Sequence, residues 1–255
     1  MRPDDIKEDI INRFKKLQEK KVKSGKRSKT VHVSHITGEC DRRPWYDFRN
    51  DPEPLTYNSI TNFFLGTILH QNATLGKRNE IHLAGNIRKM EKIETKDIGI
   101  YNIYDCVTGT ADDLLEYEGD VVIADKKTFS TVDSRGNKHD PPAKPDQGYV
   151  TQLNIYKLLL YISEEVEAKY GALLYLDKSQ SFRDPIAFVF ELDSIENIKK
   201  KVITKLDHIR QTIPPDRVIT KYCNYCPHKK VCAPPPSLIP RWHFGEVWFL
   251  ERSLL

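Results

Sequence analysis

The feature that most constrains this chain is a short apolar run that ends abruptly in charge. Val121-Val122-Ile123-Ala124 is followed at once by Asp125-Lys126-Lys127. An apolar run of this length, bounded by turn signals, reads as a central strand buried on both faces. Gly119-Asp120 before it suits a two-residue hairpin turn, and Thr110 to Tyr117 reads as the partner strand. With Gly119 and Asp120 as the turn, Glu118 faces Val121 and facing positions sum to 239. Asp112 then stands opposite Lys127. Asp125 shares the face of Lys127, because side chains alternate along a strand. The expected register therefore gathers Asp112, Asp125 and Lys127 at the open end of a hairpin. A turn one residue longer would slip the register by one and separate them.

Two carboxylates and a lysine so placed have a chemical use. Carboxylate oxygens are hard ligands that suit Mg²⁺ or Mn²⁺. Such an ion polarises a phosphoryl oxygen and acidifies a bound water, while the lysine meets charge that builds on the phosphate. Taken alone, Asp-x-Lys reads better as a salt-bridged strand end, because so short a match is common by chance. The rest of the chain has to decide.

The chain has 255 residues, enough to bury a full core. Its charged fraction is 30% with a net charge of +4, which excludes a histone-like polycation. The basic residues are uneven: Lys15, Lys16, Lys20, Lys21, Lys23, Lys26, Arg27 and Lys29 share one short span. That span reads as a nucleic-acid footprint or as a solvated basic helix and linker. No stretch has the apolar length needed to span a bilayer. The acidic, amphipathic start MRPDDIKEDIINRF does not resemble a signal peptide. A cytoplasmic, reducing location is expected, and five cysteines there point to metal ligation rather than disulfides.

Along the chain, helical spacing runs from Asp4 to Glu19. Val31 to Ser34 looks extended, and Ser34 is a candidate cap for a short helix leading to Cys40. CDRRPWYDF follows; its aromatics and arginines can stack on bases, but Trp45 and Phe48 fit a packed surface turn better. A helix is expected from Asn58 to about Lys77, with His70 near the edge of its apolar side. Ile87 to Thr95 and Tyr101 to Val107 are expected as strands, with Cys106 as a core residue. Phe129 to Tyr149 is a polar loop directly after the Asp-x-Lys strand, and such long loops are often functional. A helix from about Tyr149 to Lys169 puts Gln152 and Tyr156 on one face. Leu153, Leu159, Leu160 and Ile162 are its expected core contacts. Gly171 to Asp177 and Pro185 to Leu192 read as strands, and Asp193 as the cap of a helix from Ser194 to Ile213. This order predicts a mixed α/β domain around one central sheet.

KYCNYCPHKKVC places Cys223, Cys226 and Cys232 in a C-x2-C-x5-C spacing. Cys40 is the best candidate for a fourth thiolate, which would tie both ends of the chain together. Four thiolates hold zinc or an iron–sulfur cluster. The C-x2-C half alone favours zinc. The segment Ala233 to Leu255, with Trp242, Phe244, Trp248 and Phe249, is an aromatic tail.

Four motifs now stand in order: His70 in GTILHQ, Gly109 to Asp112 in GTAD, Asp125 to Lys127 in DKK, and Gln152 to Tyr156 in QLNIY. Together they resemble the RecB-type branch of the PD-(D/E)xK nucleases. With one early cysteine and C-x2-C-x5-C after the core, the chain is similar to the iron–sulfur nucleases of that branch. The free-standing CRISPR-associated exonuclease of the Cas-four family is the nearest type. The resemblance implies a restriction-endonuclease-like mixed sheet flanked by helices. It implies Mg²⁺ or Mn²⁺ on His70, Asp112, Asp125 and the Lys126 carbonyl, Lys127 as catalytic lysine, and Gln152 and Tyr156 as supports. It further implies a [4Fe–4S] cluster on Cys40, Cys223, Cys226 and Cys232 that joins the N- and C-terminal segments.

The expected organisation is a basic segment at 1–30, a nuclease core at 31–220 and a cysteine segment with tail at 221–255. The expected function is a metal-dependent exonuclease on single-stranded DNA ends, working in CRISPR adaptation beside the integrase. A nuclease of recombination, repair or viral origin has the same sequence signature. A non-catalytic DNA-binding module or a zinc adaptor is the alternative of another class.

Overall fold

The computed structural model describes residues 30–49, 75–76, 78–94, 102–132, 136–180, 185–220, 223 and 226–232. The expected helix at 4–19, all but Leu75 and Gly76 of the one at 58–77, His70 and the aromatic tail lie outside these residues; Leu75 and Gly76 are not helical.

A seven-stranded mixed sheet forms the centre. Its strands are β1 (Val31–His32), β2 (Arg78–Asn86), β3 (Glu91–Lys92), β4 (Cys106–Tyr117), β5 (Asp120–Phe129), β6 (Tyr170–Asp177) and β7 (Ile186–Glu191). The spatial order is β3-β2-β4-β5-β6-β7, with β1 parallel to the start of β4. Neighbours run antiparallel except β1 with β4 and β5 with β6. The apolar run of β5 does lie at the centre: Ile123 and Ala124 are fully enclosed.

The helices are α1 (Val33–Ile36), α2 (Arg42–Asp47), α3 (Gln147–Glu164), α4 (Ile195–Arg210) and α5 (Lys229–Cys232). Helix α3 connects the parallel strands β5 and β6, as a parallel pair requires a crossover. Asp146 caps its start by accepting from Gly148 N at 2.8 Å. Glu165, at φ 58°, ends it in the left-handed conformation. Leu153, Leu158, Leu159, Leu160 and Ile162 of α3 are buried in one core with Leu83, Val107, Ile123 and Leu173 of the sheet. Each such side chain contributes about 1.5–3 kcal/mol by leaving water. Helix α4 closes this core from outside with Ile198, Val202, Leu206 and Ile209.

Several local expectations are corrected. The sheet partner of β4 is Arg78–Asn86, and residues 87–90 form a turn rather than the start of a strand. Residues 103–105 also turn, so β4 begins at Cys106. β-branched and apolar residues at 87–95 suggested a strand, but Ile87 instead plugs the core from a turn. His32, not Ser34, caps α1. Ser194, not Asp193, caps α4 through Asn197 N at 3.4 Å; Asp193 pairs instead with Lys201 at 2.6 Å. Helix α3 stops at Glu164, short of Lys169. Cys106 is the expected core residue, its thiol pushed up to about 11 by burial and then by Asp105.

The hairpin register also differs from the expected one. Glu118 and Gly119 are the turn residues, both with positive φ (52° and 89°), the pattern of a type I′ turn. Tyr117 therefore faces Asp120 and Asp113 faces Ala124, so facing positions sum to 237 rather than 239. The displacement is two residues, an even number, so no side chain changes face. Continued beyond the last pair, the count sets Asp112 against Asp125 instead of Lys127.

Candidate active site

The pairing of β4 with β5 stops at Asp113 and Ala124. Beyond it, β4 stays with β2 while β5 stays with β6 through Lys127 and Phe129. The two central strands thus part at Asp112 and Asp125. On the other side of β4, the β2 ladder skips the Glu80–Asp112 rung, and Glu80 has φ 47°. Asp112 consequently sits at a gap in both ladders. Its carboxylate takes the place of a ladder carbonyl and accepts Lys126 N–H at 2.8 Å.

Asp125 is 1% exposed and lies at the same opening. Lys127 Nζ stands 2.7 Å from one of its oxygens. Gln152 Nε2 of α3 donates to the other at 3.4 Å, and also to Tyr156 OH at 2.8 Å. The Tyr156 phenol is held well above its ordinary value by burial, then by the charges of Asp125 and Asp112, so it stays protonated. The ring fits because residue 109 is glycine: a Cβ there would lie 2.8 Å from Tyr156 Cε1 and 2.6 Å from Val33 Cγ2. This gives the glycine of GTAD its physical reason, a close approach of α3 to β4.

The structure thus brings together Asp112, Asp125, Lys127, Gln152 and Tyr156. His70 lies outside the described residues. Two features were missed from sequence. Lys126 Nζ pairs with Asp113 at 2.8 Å with both side chains enclosed, and the other Asp113 oxygen accepts Leu75 N and Gly76 N at 3.0 and 3.2 Å. The signal was the doublets Asp112-Asp113 and Lys126-Lys127: one member of each serves the opening, the other a buried ion pair. Tyr149 was the second, with its ring centroid 4.6 Å from Lys127 Nζ.

Oxygen donors from Asp112 and Asp125 fit a hard divalent cation, and the Lys127 ammonium offsets one of their two charges. Among the described residues no three His, Cys, Asp or Glu side chains are arranged to hold an ion.

The four cysteines gather elsewhere. Cys40, Cys223, Cys226 and Cys232 line one cavity with Arg43, Arg217 and His228. All are free thiols. Burial pushes the Cys226 thiol up; the His228 backbone and Arg43 oppose this, while Cys40 and Cys223 add to it. Thr220 N–H donates to Cys223 Sγ at 3.3 Å. The donor chemistry suits a thiolate-bound group. The cavity, at about 20 Å³, has room for one water or ion. His228, 2% exposed, fastens this segment to α2 through Asp47 at 2.8 Å and stacks on Tyr46. Trp45 and Phe48 are packed as expected, but Trp45 lies within α2 and Phe48 ends that helix rather than forming a surface turn: Trp45 donates to Gln211 O at 2.8 Å, and Phe48 lies 5.6 Å from Tyr104.

The model of the PD-(D/E)XK nuclease superfamily matches residues 62–233, and the chain belongs to that superfamily. The match spans the parted strands and the Gln152–Tyr156 face of α3. The crystal structure of SSO0001 shares the fold, with a TM-score of 0.54 and 17% identity over 91% of this chain and 98% of that one. An alkaline exonuclease, LHK-Exo from Laribacter hongkongensis, is more remote, with a TM-score of 0.35 and 9% identity over 72% of this chain and 89% of its own. No curated protein matches the sequence. Among the described residues no helix is long and apolar enough to cross a membrane.

Proposed function

We propose that the chain is a metal-dependent deoxyribonuclease that hydrolyses single-stranded DNA from an end. One observation carries this reading: Asp112, Asp125 and Lys127 meet where the central strands part, with Lys127 Nζ 2.7 Å from Asp125. Asp112 and Asp125 would hold Mg²⁺ or Mn²⁺, with His70 and the Lys126 carbonyl completing the set. The ion supplies Lewis acidity and a water of lowered pKa. Lys127, 17% exposed, balances charge that develops on the phosphate oxygens. Gln152 fixes the Asp125 carboxylate through one amide hydrogen, and Tyr156 fixes Gln152. The Lys126 N–H holds one Asp112 oxygen in place at 2.8 Å.

The cysteine centre is read as a structural clasp between residues near Cys40 and those after Thr220. Its four thiols support an iron–sulfur cluster, with zinc as the competing occupant; metal analysis of anaerobically prepared protein separates the two. The wider role, trimming DNA before integration in CRISPR adaptation inside the cell, is supported by the order of the four motifs and the cysteine spacing. Partnership with the integrase rests on the same resemblance.

The test is digestion of single-stranded DNA labelled at one end or the other, with Mg²⁺ or Mn²⁺. Mononucleotides or short products released first from one label are expected, and they give the polarity. Circular single strands cut as fast as linear ones would contradict the need for an end.

A further inference from the structure

Beside the catalytic opening lies a cleft of about 610 Å³, set on β1, β2 and β4. Its floor follows from the sheet register. His32 pairs with Thr108 across β1 and β4, while Ala84 pairs with Thr108 and His82 with Thr110 across β2 and β4. Paired residues share a face, and so do residues two apart on one strand. Both histidines and both threonines therefore stand on one face, flanked by Ser163 near the end of α3. The cleft and the opening also share a wall. Gly109, which lines the cleft, is the residue against which Tyr156 packs. Asp112 follows Thr110 by two residues, about 7 Å along β4.

The lining limits what the cleft can hold. Ser34 N–H donates to His32 Nδ1 at 3.3 Å, so the ring hydrogen sits on Nε2. His82 is anchored through Nδ1 to Thr110 Oγ1 at 2.8 Å. Each ring therefore has its Nε2 for a ligand. Leu83 and Ile93 add apolar wall between these polar groups. Charge at the rim is balanced: Glu164 is committed to Arg78 at 2.7 Å, and Lys92 and Glu94 are of opposite sign. Such a rim offers a phosphate little net attraction. Among the described residues no three ligating side chains are arranged to hold an ion. The cleft thus suits a neutral molecule with an apolar body and hydrogen-bonding edges, and its volume is that of a small-molecule site. A nucleobase has this character.

We propose that this cleft receives one unpaired base of the DNA strand whose phosphate lies at Asp112 and Asp125, with His32 and His82 meeting the edges of that base. The inference rests on the nuclease reading and deepens it. A base enters such a cleft only when it is neither stacked nor paired, so the subsite selects single strands. Its walls hold donors and acceptors at fixed places, so it distinguishes one base from another, as a bare stacking surface does not. One position of the strand, close to the attacked phosphate, should therefore show a base preference, and the others should not.

The experiment uses the full chain and single-stranded oligonucleotides with one abasic residue at successive positions from an end. Binding is measured first with divalent ions chelated, so that it does not depend on cleavage. The Kd should rise about five- to a hundredfold for an abasic residue at one position, the size of the contacts of one base. His82→Ala removes an exposed side chain, and Ala84→Leu fills the floor of the cleft. Each should weaken binding of intact DNA to the abasic level and flatten the profile. Cleavage with Mg²⁺ or Mn²⁺ should then show the same position in kcat/KM, and a preference among the four bases there. No measurable binding, or a flat abasic profile in the native chain, would overturn the proposal. So would a profile that both variants retain, which would place the base elsewhere. A position-dependent profile that both variants flatten, without cleavage under either ion, would support the cleft and overturn the nuclease reading instead.

Discussion

The carboxylate opening and the cysteine cavity are built in contrasting ways. At the opening, Asp125 already pairs with Lys127 and accepts from Gln152 of α3, and Asp112 accepts the Lys126 N–H. The residues come from one hairpin and one helix, so sheet register and a few turns of α3 place them. At the cavity, Cys40 comes from the start of the described chain and the other three thiols from residues 223–232. Turn and helix hydrogen bonds order residues 223–232 locally, but only tertiary contact brings Cys40 to them, and among the described residues no three ligating side chains are arranged to hold an ion. Catalytic groups that must be preorganised are fixed by the sheet. Groups that clasp distant segments need their ligand to finish the geometry, so binding there is also folding.

Four changes break or sharpen this contrast. The largest effect is expected at the buried pair beneath the opening. Lys126→Ala leaves Asp113 enclosed without its cation, and should lower stability by about 3–5 kcal/mol; urea melts of metal-free protein give the value. Loss of under 1 kcal/mol would show that the opening is not preorganised from below.

At the cavity the stabilisation should depend on ligand. Metal loading should raise the Tm of the native chain, by a free energy of about 2.7 kcal/mol at a hundredfold excess over Kd. Cys226→Ser should melt like the native chain without metal and gain nothing on loading. A Cys226→Ser protein that still gains the full shift would show that the clasp lies elsewhere.

Gly109→Ala is next. The added methyl meets Val33 and Tyr156 at 2.6 and 2.8 Å, and overpacking of this kind costs about 1–3 kcal/mol. Turnover should fall further than stability alone explains, because Tyr156 steadies Gln152. Equal activity per folded molecule would remove Tyr156 from the site.

The smallest effect is one of pH. Burial opposes ionisation of Asp177, but hydrogen bonds from Ser179 and Thr131 outweigh it and hold the carboxyl at about 2. Its folded value is below the unfolded one near 3.9. The contribution to stability is therefore complete above about pH 4 and lost as pH falls through about 2. Asp177 ties the end of β6 to the residue two after β5, so it tethers the loop that leaves the site. Asp177→Asn should melt below the native chain at neutral pH, and the gap should close on acidification.

Much of the opening was legible because strand alternation is a local rule. Asp125 and Lys127 share a face whatever the turn does, and the error over Gly119-Asp120 moved the register by two, leaving faces intact. The apolar run of β5 announced its central place for the same reason. Cap positions and the strand at 87–95 were misread where tertiary packing outvoted propensity: Ile87 serves the core from a turn. Asp113 and Lys126 were overlooked because a buried ion pair joins two strands, and no single segment shows it. Tyr149 was hidden because its meaning depends on how α3 lies against β5. The cysteine spacing showed which residues belong together and not how closely they approach.

The most direct test compares native and Lys127→Ala chains on single-stranded DNA, with and without Mg²⁺ or Mn²⁺, after circular dichroism has shown equal folding. The expected result is cleavage by the native chain only with the divalent ion, and a loss of at least about a hundredfold in the variant, as for removal of one group that stabilises transition-state charge. Undiminished cleavage by Lys127→Ala, or cleavage by the native chain with all divalent ions chelated, would contradict the assignment of the parted strands as the catalytic site.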